Sequence, residues 1–89
     1  MIDYSPIDCA LHSEYELYIL RGTHLRIRWV QPDGRRHVEV LKPRDLRTRN
    51  HEEYLVAEQH DGQQLEIRLD RIRKIEAIPH SAMAGSNYP

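Results

Sequence analysis

Several common components are missing from this 89-residue sequence. It contains no phenylalanine and a single cysteine, so no internal disulfide can form. No apolar stretch approaches the roughly 20 residues of a membrane-spanning helix, and the first residues lack the basic and apolar regions of a secretory signal peptide. A chain of this length builds one small core, so we expect a single domain. The single cysteine and the lack of a signal peptide or membrane span lead us to expect it in the cytoplasm.

Positive charge is absent from the beginning of the chain. Residues 1–20 contain four acids and no lysine or arginine, residues 21–49 contain nine bases and three acids, and residues 50–89 contain seven acids and four bases. The net charge of −1 hides this segregation. The segregated pattern indicates more about binding partners than the net value does.

An amphipathic pattern predicts a helix over residues 10–21. Its apolar stripe consists of Leu11, Tyr15, Leu17, Tyr18 and Leu20. Arg21 suits the last turn of such a helix, and Gly22 suits the next position, where φ is positive.

After Gly22 the apolar period becomes two, which is typical of half-buried strands. Four stretches predict strands: HLRIRWV, HVEVL, YLVAEQ and QLEIRL. QPDGRR joins the first two as a hairpin turn and HDGQ joins the last two. Residues 70–72 predict one turn before a short fifth strand. The polar segment KPRDLRTRNHEE has no assigned structure, and residues 79–89 are expected to be a flexible tail.

One helix followed by five short strands indicates a mainly β fold. Strands of this size close most readily into a small, strongly bent, antiparallel open barrel, because closure removes exposed sheet edges. We therefore expect residues 1–78 to form a single domain of this kind.

Patterns for catalysis or metal binding are weak. The sequence has no phosphate-binding loop, dinucleotide fingerprint or nucleophile-elbow motif. Its six histidines show no pair at metal-ligand spacing, and exposed histidines explain them better. Cys9 follows Asp8, which disfavours a thiolate, so a packed cysteine is the better interpretation. We expect neither an enzyme nor a cofactor.

The basic middle segment supports an RNA-binding hypothesis. Its arginines can form a phosphate-binding face, and small barrels bind single strands through such faces and stacking aromatics. The candidates are Arg26, Arg28, Arg35, Arg36, Arg44, Arg47 and Arg49. The alternative is a set of solvated arginines balanced by nearby acids. Trp29 is expected in the core, so few aromatic side chains are left to stack on bases.

The acidic helix also allows two interpretations. Glu14 and Glu16 can simply keep an exposed face soluble. A helix with an apolar stripe and no base on its polar face can also mimic nucleic acid toward a basic protein, because complementary charge steers such partners together.

Four stretches resemble a known family when read in order: DYSPIDC, YELYIL, EEYLV and EIRLDRI. Their order is similar to that of the Rof (YaeO) family, small bacterial proteins that bind the transcription termination factor Rho. The resemblance covers about residues 3–78. It implies an Sm-like fold and an antiterminator function, in which the protein binds the N-terminal RNA-binding domain of Rho and keeps RNA off its primary site.

The resemblance also implies the contact residues, which lie on the helix and in the loop before the third strand. The helix candidates are Asp8, His12, Ser13, Glu14 and Glu16, and the loop candidates are Arg47, Arg49 and Asn50. Ala10, His12 and Ser13 depart from the acidic and aromatic residues familiar in the family. The Sm-like module that binds single-stranded RNA through residues 21–49 remains the alternative function.

Overall fold

The computed structural model describes residues 9–79 as one helix and five antiparallel strands. The elements are α1 (Cys9–Arg21), β1 (Leu25–Val30), β2 (Arg36–Arg49), β3 (Glu52–Glu58), β4 (Gln64–Arg68), a 3-10 turn (Leu69–Arg71) and β5 (Ile72–Ala77). The strand order is β4-β3-β2-β1-β5, so β4 and β5 are the two edges and the barrel stays open. The predicted fold class is confirmed. The predicted tail, apart from Pro79, lies outside the described residues.

Strand β2 is much longer than its apolar pattern predicts. Its first part pairs with β1 and its second part pairs with β3, and the register shifts between Pro43 and Asp45. A proline cannot donate to a ladder hydrogen bond, so it is found where the pairing is irregular. The polar segment without assigned structure is therefore mostly the second half of β2, and only Asn50 and His51 separate it from β3.

The core lies between the sheet and the inner side of α1. The buried residues that form it are Tyr15, Leu25, Ile27, Trp29, Leu41, Leu55, Ala57, Ile67 and Leu69. Trp29 is buried as predicted. Tyr15 is the one residue of the helix in this buried set, and it anchors α1 to the sheet.

Two leucines predicted on the buried stripe of α1 face solvent instead. Leu17 is 41% exposed and Leu20 is 83% exposed. At about 100° per residue, both positions point roughly 140–160° away from Tyr15 around the helix axis. The helix therefore packs through a narrower stripe than predicted, and its outer side carries apolar surface.

A bulge in β5 explains the three-residue spacing of its isoleucines. Ile27 and Trp29, two residues apart on β1, lie opposite Ile75 and Ile72, three residues apart on β5. The extra residue lets both isoleucines pack against the core. One strand thus accommodates a spacing that resembles a helical turn.

The β1–β2 and β3–β4 connections repeat one geometry. Gly34 and Gly62 have φ angles of 91° and 89°, a region that favours glycine. The carboxylates of Asp33 and Asp61 each accept a hydrogen bond of 3.0 Å from the backbone N–H two residues later. The Asp-Gly pairs therefore fix both hairpin turns, as the sequence predicts. No helix within residues 9–79 has the length and apolarity to cross a membrane.

Candidate functional site

The first half of α1 lies beside the β2–β3 turn. His12 Nε2 is 2.8 Å from a carboxylate oxygen of Glu53, two residues after the turn. His12 Nδ1 is also 3.7 Å from Glu16 Oε1, one helical turn along α1. The imidazole thus links two of the predicted contact regions, the helix and the turn. Asp8, predicted with them, lies outside the described residues.

The outer side of α1 combines acidic and apolar side chains. We call it the acidic helix surface, and it consists of Ser13, Glu14, Glu16, Leu17 and Leu20. All five residues are exposed. Glu14 accepts a hydrogen bond of 3.3 Å from the Tyr18 hydroxyl, and partial burial together with Glu14 raises the pKa of Tyr18. That phenol stays protonated and keeps donating to Glu14, which holds the carboxylate on the helix.

The two arginines predicted in the loop lie on the face of the sheet that points away from the core. Arg47 pairs with Tyr54 in the ladder, and side chains alternate, so both point away from the core face that carries Leu55. Arg47 and Arg49 reach the Glu66 carboxylate on β4 at 3.1 and 2.6 Å. They do not join the acidic helix surface, because they occupy the outer face of β2.

Arg49 is also held by an aromatic ring. Its guanidinium carbon lies 4.7 Å from the centroid of the Tyr54 ring, a cation–π distance. Its hydrogen bond to Glu66, and then one to Tyr54, raise the pKa of Arg49 above its ordinary value. A partner that binds Arg49 must therefore compete with Glu66.

Asn50 stands at the exposed apex of the β2–β3 hairpin. Asn50 and His51 have φ angles of 52° and 65°, as the two central residues of a type I′ turn require. Histidine adopts this conformation at a cost. The apex therefore presents two polar side chains beside the start of α1.

A network of ion pairs ties β3, β4 and the 3-10 turn together. Arg68 binds Asp70 through two hydrogen bonds of 2.6 and 3.1 Å and Glu52 through one of 3.1 Å. Glu52 also accepts a bond of 2.8 Å from the Tyr54 hydroxyl. Only 15% of the Arg68 side chain is exposed. The EIRLDRI stretch thus has a structural role here, since Arg68 and Asp70 fix the chain after β4.

The candidate arginines of the RNA-binding hypothesis are distributed over several surfaces. Arg35 pairs with Asp33 at 3.3 Å, Arg44 pairs with Glu58 at 3.5 Å, and the Arg47–Arg49 pair is held by Glu66. The remaining arginines, with one lysine that the hypothesis did not include, form a basic sheet face on the outer side of β1, β2 and β5. It consists of Arg26, Arg28, Arg36, Val38, Val40 and Lys74, with one acid, Glu76, opposite Arg26. The period of two along β1 predicts the arginine row, but not the lysine that β5 adds.

One cleft of about 290 Å³ opens between the end of β1 and β4. Trp29, Pro32 and Ile67 supply apolar walls, and Tyr54 and Arg68 supply polar ones. It contains none of the predicted contact residues. Within the described part of the chain, no three histidine, cysteine or acidic side chains are grouped to hold a metal ion.

Comparison with known proteins identifies a similar fold but no family. No protein-family model and no curated protein matches the chain. Among solved structures the chain is similar to proteasome accessory factor B/C (PafBC) of Arthrobacter aurescens, with 21% identity and a TM-score of 0.69. The match covers 99% of this chain and 15% of that chain. At this identity the likeness shows the fold alone.

Proposed function

We propose that this chain is a Rof-like, non-enzymatic modulator of Rho in the bacterial cytoplasm. It binds the N-terminal RNA-binding domain of Rho and excludes RNA from the primary site, which reduces Rho-dependent termination. The four family-like stretches support this assignment, and two of them contribute contacts that hold this fold together. YELYIL supplies Tyr15, which anchors the helix, and EIRLDRI supplies the Arg68–Asp70 pair.

The observation that carries the proposal is the acidic helix surface. No lysine or arginine occurs between Cys9 and Leu20, while Glu14, Glu16 and two leucines face solvent. Sites for single-stranded RNA combine basic groups with apolar or aromatic platforms for the bases. A surface that offers carboxylates beside aliphatic side chains complements both features, so it competes with RNA for the same site.

The β2–β3 turn provides the second contact in this proposal. Asn50 lies next to the helix through the His12–Glu53 bond, and its exposed side chain can bind backbone or polar groups of Rho. Arg47 and Arg49 act at the margin of the interface, where an acidic group of Rho takes over from Glu66. Charge pairs of this exposed kind contribute orientation and association rate more than affinity.

The proposal predicts that Glu16→Lys weakens binding to purified Rho by more than about 1 kcal/mol, or about fivefold. Glu16 is 65% exposed, so the substitution leaves the core intact. Leu20→Ser is expected to weaken binding in the same direction, because it removes aliphatic surface from the interface. Calorimetric titration of each variant into Rho measures both effects, and single-stranded RNA must compete with the protein in the same assay.

Glu76→Lys is the matched control. It makes the same charge change at a half-exposed site on β5, away from α1, and is expected to leave Rho binding unchanged. Equal dissociation constants for the parent protein and Glu16→Lys would show that the helix is not part of the interface with Rho. Failure of the parent protein to bind Rho at all would overturn the proposed function.

A further inference from the structure

The basic sheet face has an excess of positive charge that the fold does not neutralise. Arg28 lies directly opposite Lys74 in the β1–β5 ladder. Like charges at directly opposite positions destabilise a sheet. Neither side chain, nor that of Arg36, forms an ion pair with any residue from 9 to 79. The acid on this face, Glu76, lies opposite Arg26 in the ladder and is 4.0 Å from it.

Two aliphatic side chains lie among these basic residues. Val38 is 52% exposed and Val40 is 38% exposed, and they face Arg28 and Arg26 across the β1–β2 ladder. Exposed valines add nothing to the binding of phosphates, but they can bury aliphatic side chains of a partner. None of the residues that form this face is aromatic, so they offer bases no stacking platform.

We propose that the basic sheet face is a docking surface for an acidic protein segment that carries aliphatic side chains. The carboxylates of the segment neutralise Arg28, Arg36 and Lys74, and its aliphatic groups cover Val38 and Val40. Charge complementarity and the exposed valines together favour such a segment over RNA. This surface is separate from the one proposed to bind Rho, because Arg26 and Arg28 point away from the core and α1 packs on the core side.

The key variant is Lys74→Glu, because it separates binding from folding. It places a carboxylate opposite Arg28, so a like-charged pair becomes a pair of opposite charge and the thermal unfolding midpoint should rise or stay the same. Binding of an acidic segment should nevertheless fall by about tenfold, since two units of charge change directly opposite Arg28. A misfolded variant cannot produce this combination.

The probe is a fluorescein-labelled peptide of about ten residues, long enough to cross the three strands of the face, in which glutamate and leucine alternate. A peptide of alternating glutamate and serine tests the aliphatic contribution, and a single-stranded RNA of equal length tests phosphate binding. Fluorescence anisotropy at about 50 and 200 mM salt gives each dissociation constant. We expect the glutamate–leucine peptide to bind at least about tenfold tighter than the glutamate–serine peptide.

Val38→Ser should weaken the glutamate–leucine peptide and leave the glutamate–serine peptide unchanged. Arg44→Glu, a charge reversal on the far half of β2, is the control that should change neither. Tighter binding of RNA than of the peptide, with no effect of Val38→Ser, would show a phosphate surface and overturn the proposal. Absence of peptide binding, or unchanged binding to Lys74→Glu, would also overturn it.

Discussion

At the scale of single residues, Tyr15 links helix packing to pH. The ring is buried, and burial, followed by the charge of Glu14, raises the pKa of Tyr15 from 10.0 to about 12. The unfolded chain therefore loses this proton at a lower pH than the folded protein does. Stability is complete below pH 10 and should fall as the pH rises toward 12, by up to about 1.4 kcal/mol per pH unit.

Urea unfolding of the parent protein and Tyr15→Phe measures this effect. The phenylalanine variant keeps the ring in the core, so its free energy of unfolding should be close to that of the parent at pH 7. Above pH 10 its stability should decline less steeply than that of the parent. Identical slopes in both proteins would show that the Tyr15 hydroxyl does not carry the dependence.

Other residues show where sequence patterns are informative. The alternation in β1 correctly predicts that Leu25, Ile27 and Trp29 are buried, because a strand has only two faces. The helical stripe overestimates burial at Leu17 and Leu20, since the width of a buried stripe depends on what packs against it. The Arg68–Glu52 bond joins residues 16 apart, and no local pattern predicts such a tertiary pair.

At the scale of elements, the β2–β3 hairpin is the part that the sequence predicts least well. The second half of β2 lacks a clear alternation of apolar and polar residues. Its outer face carries Arg47 and Arg49, and Leu46 on its inner face is only half buried. Pairing with β3 nevertheless extends β2 to Arg49. Backbone hydrogen bonds to β3 hold this half as a strand, and Pro43 and Leu46 add side-chain burial. The sequence alone therefore predicts one loop that contains both Arg47 and Asn50. In the structure Arg47 lies in β2 and Asn50 lies in the turn.

The turn of this hairpin allows a test of stored strain. His51 has a φ of 65°, which glycine adopts without the steric cost of a side chain. We expect His51→Gly to stabilise the protein by about 1 kcal/mol and to raise the unfolding midpoint by about 4–8 °C. Differential scanning calorimetry measures the shift.

Asn50→Gly serves as the comparison. Asparagine tolerates positive φ better than histidine does, so the gain at position 50 should be smaller. A lower unfolding midpoint for His51→Gly would mean that the imidazole contributes more than its backbone conformation costs.

At the scale of the whole molecule, charge is separated across the thickness of the sheet. The helix packs on the core side and presents the acidic helix surface outward, while the alternation in β1 turns Arg26 and Arg28 to the opposite side. The net charge of −1 therefore conceals two surfaces of opposite sign. If both proposals hold, a basic partner and an acidic partner occupy different sides, and the protein can bridge them.

Bridging predicts that Rho and the glutamate–leucine peptide bind at the same time. Adding Rho to the peptide complex should raise the anisotropy of the labelled peptide, because the complex becomes larger, and should not displace the peptide. Lys74→Glu should reduce peptide binding alone, and Glu16→Lys should reduce Rho binding alone. In the double variant each loss should equal that of its single variant within about 0.5 kcal/mol, as expected for distant sites that share no partner. Peptide mixed with Rho alone is the control for direct binding between them, and displacement of the peptide by Rho would show that the two partners share one surface.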